Sequence, residues 1–209
     1  MMILNIILHY LFIIVREQAK RENIIGGQII CFLNGCPNYG LGGVLESFSN
    51  EQEVDYRVDQ ATKFYRQQAS IASDNNIQID IHCVGLRNFR VRILHNIVLA
   101  NGGNILLTKE FADPQLLQNL IMSVQRSQGN RCGSVDIFTS QGITISHIIG
   151  PAVPSSSSVA DPNAPDHCVM SSIHQDSTFA IYFTIDDVII SDWVYFQFIV
   201  KYINEKNEK

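Results

Sequence analysis

IQIDIHCVGLRNFRVRILHNIVLANGGNILLT, residues 77–108, decides the fold. Ile77 to Val84 is a short, nearly continuous apolar run, as expected of a strand buried on both faces. Arg90 to Ala100 can form a helix, which Asn101-Gly102-Gly103 stops. Asn104 to Thr108 then forms another strand. Strand, helix and strand in that order predict two parallel strands joined by a helical crossover.

The same alternation extends on both sides. Gln28 to Leu33 (QIICFL) is a buried strand, and Gly26-Gly27 ends a helix that includes Arg16 to Glu22. Asn34 to Gly43 holds four glycines and Pro37, so it is a tight loop. Val54, Val58, Ala61, Tyr65, Gln68 and Ala72 recur at helical spacing, and Asn50 with Glu53 resembles a capping box. Asp113-Pro114 opens a further helix to about Arg126, aspartate as cap and proline in the first turn. Residues 1–128 therefore predict an α/β unit, a parallel sheet with helices on both faces. No glycine-rich dinucleotide fingerprint or phosphate-binding loop follows any of its strands.

Residues 129–209 differ. Ser134 to Thr139 and Ile143 to Ile149 alternate around Ser140-Gln141-Gly142 and predict a hairpin. Gly150 to Asp166 holds four of the six prolines and the run Ser155 to Ser158, the composition of a loop or linker. His167 to Ile173, Thr178 to Ile185 and Trp193 to Tyr202 are strands rich in aromatic and β-branched residues. This second unit is all-β, and five strands make a poor sandwich unless others complete it.

Composition narrows the function. The chain has 46% apolar residues, enough for a real core, which excludes global disorder. A net charge of -5 argues against nucleic acid as a partner. Met1 to Val15 is apolar but shorter than the roughly 20 residues of a membrane-spanning helix. It lacks the basic start and cleavage site of a signal peptide, so a buried helix is expected, in a chain that begins in mid-fold. Cys31, Cys36, Cys83, Cys132 and Cys168 are scattered as small buried hydrophobes are. Cys31 with Cys36, or His167 with Cys168 and His174, lacks the second pair that a metal site needs.

Candidate chemistry is sparse. Asp80, between Ile79 and Ile81, is a buried strand carboxylate, expected to be a hydrogen-bonded structural acid rather than a catalyst. His82 and Cys83 are neighbours on a strand, point to opposite faces and cannot pair. Ser140-Gln141-Gly142 lacks the setting of a nucleophile elbow. The loop Asn34 to Gly43, at a strand end, is the expected partner-contact surface, with Asn34, Gly35, Pro37, Tyr39, Gly40 and Gly42 as candidate residues.

These segments carry a family resemblance. Gly26 to Leu33 followed by Gly35, Gly40 and Gly42 looks like a strand and loop of the trunk domain of the COPII inner-coat protein family. Lys63-Phe64-Tyr65 with Ala69 and Ala72, Ile79-Asp80-Ile81, and Asn101-Gly102-Gly103 resemble later steps of that trunk. Gly133 to Ile145 resembles the hairpin opening the coat β-sandwich, and Ser177 to Phe183 and Tyr195 to Tyr202 its last strands. Ile149-Gly150-Pro151 is similar to the hairpin ending of the GTPase-activating branch rather than the cargo-adaptor branch. The resemblance runs in order from about residue 20 to 203. Cys36 and Leu41 stand where the family has prolines, a tryptophan is missing near Val169-Met170, and Arg87 to Arg92 does not match the family's acidic turn. Such departures fit a divergent paralogue.

The resemblance implies a partial von Willebrand A-like trunk followed by part of a β-sandwich. It implies transport from endoplasmic reticulum to Golgi, peripheral on the cytosolic face of the reticulum membrane and on coat vesicles. The implied partners are the small coat GTPase and the cargo-adaptor subunit. The family's zinc ribbon and the domain carrying its activating arginine lie outside the matched region. No cofactor and no active site are therefore expected here. A cargo-adaptor-type coat protein and a von Willebrand A-like ligand-binding module are the alternatives; the latter lacks its Asp-x-Ser-x-Ser metal loop.

Overall fold

In the computed structural model, the described residues are 11, 13–15, 17–18, 21, 26–44, 51–127, 130–154, 166–174, 177–187 and 193–203. The first unit contains β1 (Gly27–Leu33), α1 (Glu51–Asp74), β2 (Ile77–Val84), α2 (Val91–Val98), β3 (Ile105–Thr108) and α3 (Pro114–Ser127). A 3-10 turn, Leu99–Asn101, extends α2. The sheet order is β1-β2-β3, all parallel, with Ile29 opposite Ile79 and Ile81 opposite Ile105.

Strand alternation divides the sheet's two faces. Ile29 and Leu33 of β1 and Ile77, Ile79, Ile81 and Cys83 of β2 pack against Ala61, Tyr65 and Ala72 of α1 and Ile93, Leu94 and Ile97 of α2. The other face carries Gln28, Phe32, Asp80 and His82, and α3 lies over it: the Gln28 amide donates to the Ser123 carbonyl at 2.9 Å. The Asp113 side chain caps α3 by accepting from the Gln115 N–H at 2.9 Å.

Asn101 is fully buried and locks α2 to β2. Its Oδ1 accepts from the N–H of Ile79 at 3.1 Å and of Gly103 at 3.2 Å, and its Nδ2 donates to the Ile97 carbonyl. Gly103 then passes so close to β2 that a Cβ there would lie 1.7 Å from the Ile79 oxygen. Only glycine allows that approach.

The expected N-terminal helix is partly described: residues 11, 13–15, 17–18 and 21 are helical. Leu11 and Val15 pack on the core, while Ile13 and Ile14 are about half exposed. Residues 1–10, Asn50 and the run Ser155 to Ser158 lie outside the described residues.

The second unit contains β4 (Asn130–Thr139), β5 (Ile143–Ile149), β6 (Val153–Pro154), β7 (Asp166–Ile173), β8 (Ala180–Ile185) and β9 (Phe196–Ile203). They form two antiparallel sheets, β6-β7-β4-β9 and β5-β8. The predicted hairpin is corrected here: β4 and β5 do not pair. Both edges of β4 are taken, by β7 and β9, so β5 crosses to the other sheet and pairs with β8. Ser140-Gln141-Gly142 is the corner between the sheets. The Ile143 N–H donates to the Ser140 carbonyl, and Thr139 Oγ1 donates to the Ile143 carbonyl at 2.8 Å. Val135, Ile137 and Met170 form the core between the sheets, covered by Ile145, Ile148 and Ile181. The units meet where α1 passes β7, with Ser171 Oγ donating to Ser73 Oγ at 3.1 Å.

Candidate partner-binding surface

The loop after β1 is a compact knot. Val44 donates to the Pro37 carbonyl at 2.7 Å and Gly43 to the Gly40 carbonyl at 2.9 Å. Cys36 and Val44 are buried beneath it. The fully buried Tyr65 of α1 donates its hydroxyl to the Gly42 carbonyl at 2.9 Å. Burial pushes that phenol well above the usual tyrosine range, with a smaller contribution from Cys36. Gly42 has no space for a side chain: a Cβ would meet the rings of Phe64 and Tyr65 at 2.8–3.0 Å.

The six candidate residues therefore divide. Gly35, Pro37 and Gly42 are buried and form the frame of the loop. Asn34, Tyr39 and Gly40 are exposed. Leu41 is 65% exposed, although the sequence reading did not select it. The turn after β2 lies alongside, because β1 and β2 are adjacent and parallel and end on the same side. Arg87 approaches Gly35, and the Asn34 side chain lies against Gly85. Leu86 is 87% exposed. Tyr39, Leu41 and Leu86, with Arg87 beside them, give an apolar, singly basic surface at the carboxyl ends of two strands. In open parallel sheets ligands bind outside the carboxyl ends of the strands.

Several interior polar residues are hydrogen-bonded within the first unit. Asp80, fully buried, accepts from the Asn104 N–H at 2.7 Å, Gln28 Nε2 at 2.6 Å and Gln78 Nε2 at 3.1 Å. A carboxylate so satisfied has no open valence toward a substrate. His82 Nε2 lies 3.3 Å from Ser123 Oγ, and its ring stacks on Phe32. Burial lowers its pKa and Asp80 partly offsets this, so the ring is held neutral. Cys83 faces the opposite core, its thiol pushed up to about 12 by burial and then by Cys36. His82 and Cys83 are thus kept apart, and neither has the exposed thiolate of a nucleophile. Among the described residues no group of three or more His, Cys, Asp or Glu side chains could hold a metal. A cleft of about 450 Å³ at the seam of the units includes His95 and Arg126 in its lining. Both occupy the last turns of their helices, where the helix dipole favours a basic residue.

In the second unit, the buried Asp136 of β4 joins three strands. Its Oδ1 is 2.5 Å from His167 Nδ1 on β7, and its Oδ2 accepts from Lys201 Nζ on β9 at 2.8 Å. The hydrogen bonds from Lys201 and then His167 hold its carboxyl below the usual aspartate range. This clasp ties the sheet across β4.

Comparison with known proteins finds a match for both units. Residues 17–127 match the Sec23/Sec24 trunk domain and residues 131–209 the Sec23/Sec24 beta-sandwich domain. Protein transport protein SEC23 A of Arabidopsis thaliana is 28% identical over 178 residues, covering 84% of this chain and 20% of that protein. Protein transport protein SEC23 D of the same plant is 27% identical over 112 residues, covering 50% of this chain and 15% of the relative. The crystal structure of the human COPII-coat protein Sec24c shares the fold, with a TM-score of 0.71 at 16% identity, over 93% of this chain and 26% of that one. The chain spans about a fifth of the length of the first of these curated relatives.

Proposed function

The chain belongs to the Sec23/Sec24 family, and from that premise we propose that it is a vesicle-coat component of protein transport between the endoplasmic reticulum and the Golgi. The observation that carries this reading is the match of both domains, in order, along nearly the whole chain. The chain takes the GTPase-activating branch. Ile149-Gly150-Pro151 supports this, as do the curated relatives named SEC23. Gly150 is structurally required there: a Cβ would lie 2.5 Å from the Phe179 Cβ.

Its work is contact rather than catalysis. Tyr39, Leu41, Leu86 and Arg87 form the face for the small coat GTPase, and the cargo-adaptor subunit is the second partner. The buried Asp80 is occupied by structural hydrogen bonds, and the chain supplies binding surface. It is cytoplasmic and peripheral on the reticulum membrane. Among the described residues no helix is long and apolar enough to cross a bilayer. A net charge of -5 gives little attraction to anionic lipid, so recruitment runs through the GTPase.

Liposome flotation tests this. The chain should float with reticulum-like anionic liposomes when the coat GTPase is loaded with a non-hydrolysable GTP analogue, and stay in solution when it holds GDP. Equal flotation in both states, or none in either, contradicts the proposal.

A further inference from the structure

The cleft at the seam of the two units, about 450 Å³, falls within the roughly 300–1,000 Å³ of a small-molecule pocket. Its wall draws on both units. His95 comes from α2, Arg126 from α3, and His174 and Ser177 from the turn that leaves β7. Val91, His95 and Leu99 follow one another at intervals of four, so they line one side of α2 and its 3-10 extension.

The chain carries 20 acidic and 15 basic residues. Among the described residues that line the cleft the balance is reversed: an arginine and two histidines, with no aspartate or glutamate. The dipoles of α2 and α3 account for a basic residue at the end of each helix. They do not account for both side chains sharing one cleft with His174, which no helix carries. The negative end of α2 is also blunted. The Ile97 carbonyl accepts from Asn101 Nδ2, and the Val98 carbonyl from the Gly103 N–H at 3.3 Å. An anion in the cleft therefore meets fewer open carbonyls.

The turn after β7 is held in shape. The His174 N–H donates to Ser177 Oγ at 2.9 Å, and the Ser177 N–H donates to the His174 carbonyl at 3.0 Å. Ser177 Oγ accepts in that bond, so its own hydrogen can turn toward a ligand. His174 Nε2 lies 3.2 Å from Ser172 Oγ, which helps to fix the ring.

We infer that this cleft binds a phosphate monoester of a small organic group. Such an ester presents three terminal oxygens and about two negative charges. Arg126 offers a forked guanidinium, each imidazole a ring donor and Ser177 a hydroxyl, more donors than the two oxygens of a carboxylate can use. Val91, Leu99 and Pro151 give the organic part an apolar wall. The walls of the cleft carry this inference, which is independent of the coat reading.

An NMR titration of the full 209-residue chain with phenyl phosphate tests it. The expected result is saturable binding that shifts the resonances of His95, His174 and Ser177 and leaves those of Asp136 and His167 in place. Benzoate should bind on the order of tenfold more weakly. Arg126→Gln and His95→Gln should each weaken phenyl phosphate binding on the order of tenfold while the helical circular dichroism persists. His95 is exposed, so its variant decides the matter if Arg126→Gln fails to fold. No saturable binding, equal affinity for benzoate, shifts confined to other residues, or undiminished affinity in both variants overturns the inference. Vesicles of phosphatidylcholine and phosphatidic acid identify the source of the ester. Capture by these vesicles that Arg126→Gln abolishes makes the ligand a lipid headgroup, and phenyl phosphate binding without vesicle capture makes it a soluble ester.

Discussion

Tyr65→Phe removes a single oxygen from the framework of the proposed contact surface. The ring remains, so no cavity forms against Gly42 or the α1 core. What is lost is the 2.9 Å hydrogen bond from the phenol to the Gly42 carbonyl, in a place where neither group reaches water. An ordinary hydrogen bond contributes about 1 kcal/mol net, and an orphaned buried carbonyl raises the loss to about 1–2 kcal/mol. For a chain of this size that corresponds to a fall in Tm of roughly 2–8 °C. Urea unfolding followed by helical circular dichroism measures it, with Tyr56→Phe, at an exposed position, as a control that should change stability by less than about 0.5 kcal/mol. The pH dependence has a definite sign. The folded state raises the phenol's pKa, so its contribution is complete below the unfolded value near 10 and is lost as pH rises beyond it. Tyr65→Phe should therefore flatten the alkaline limb of the stability curve. The amides of Gly43 and Val44 should exchange faster in the variant, since the knot they close is tethered there. Undiminished stability with unchanged exchange at these amides would refute the reasoning.

Three further outcomes follow from other parts of the structure. Gly103→Ala places a methyl group against the Ile79 backbone, and thermal melts should show a loss of about 3 kcal/mol or failure to fold. Asp136→Asn should flatten the acid limb of the β unit, read by the fluorescence of the single tryptophan, Trp193. The wild-type carboxylate's contribution is present above the unfolded pKa near 4 and lost as pH falls through the depressed folded value. A GTP-hydrolysis assay with the coat GTPase should run at its intrinsic rate in the presence of this chain; acceleration would mean that an activating group lies within these residues.

The α/β half was legible because its strands are short, largely apolar runs and two of its stops are glycine pairs, signals that act locally. The role of Asp80 was legible in kind, since a lone buried carboxylate must be satisfied. Its partners were not, because Gln28 reaches it from β1 and Asn104 from the residue just before β3. The error at Ser140-Gln141-Gly142 has the same origin. A tight turn between alternating segments looks identical whether the strands pair or part, and β7 and β9, which occupy the edges of β4, come later in the chain. The candidate loop was found, but its division into frame and surface was not. Burial of Gly35, Pro37 and Gly42 depends on α1, and Leu86 and Arg87 join the surface only because β1 and β2 are neighbours.

The central claim is that this face engages the small coat GTPase. Its most direct test is the Kd of the purified chain for the GTP-loaded GTPase, with and without Tyr39→Ala and Leu86→Ala together. Both side chains are exposed and should not affect folding. Losing two apolar anchors at an interface should weaken binding by roughly 10–100-fold. Undiminished affinity in the double variant, with folding intact, would contradict the account.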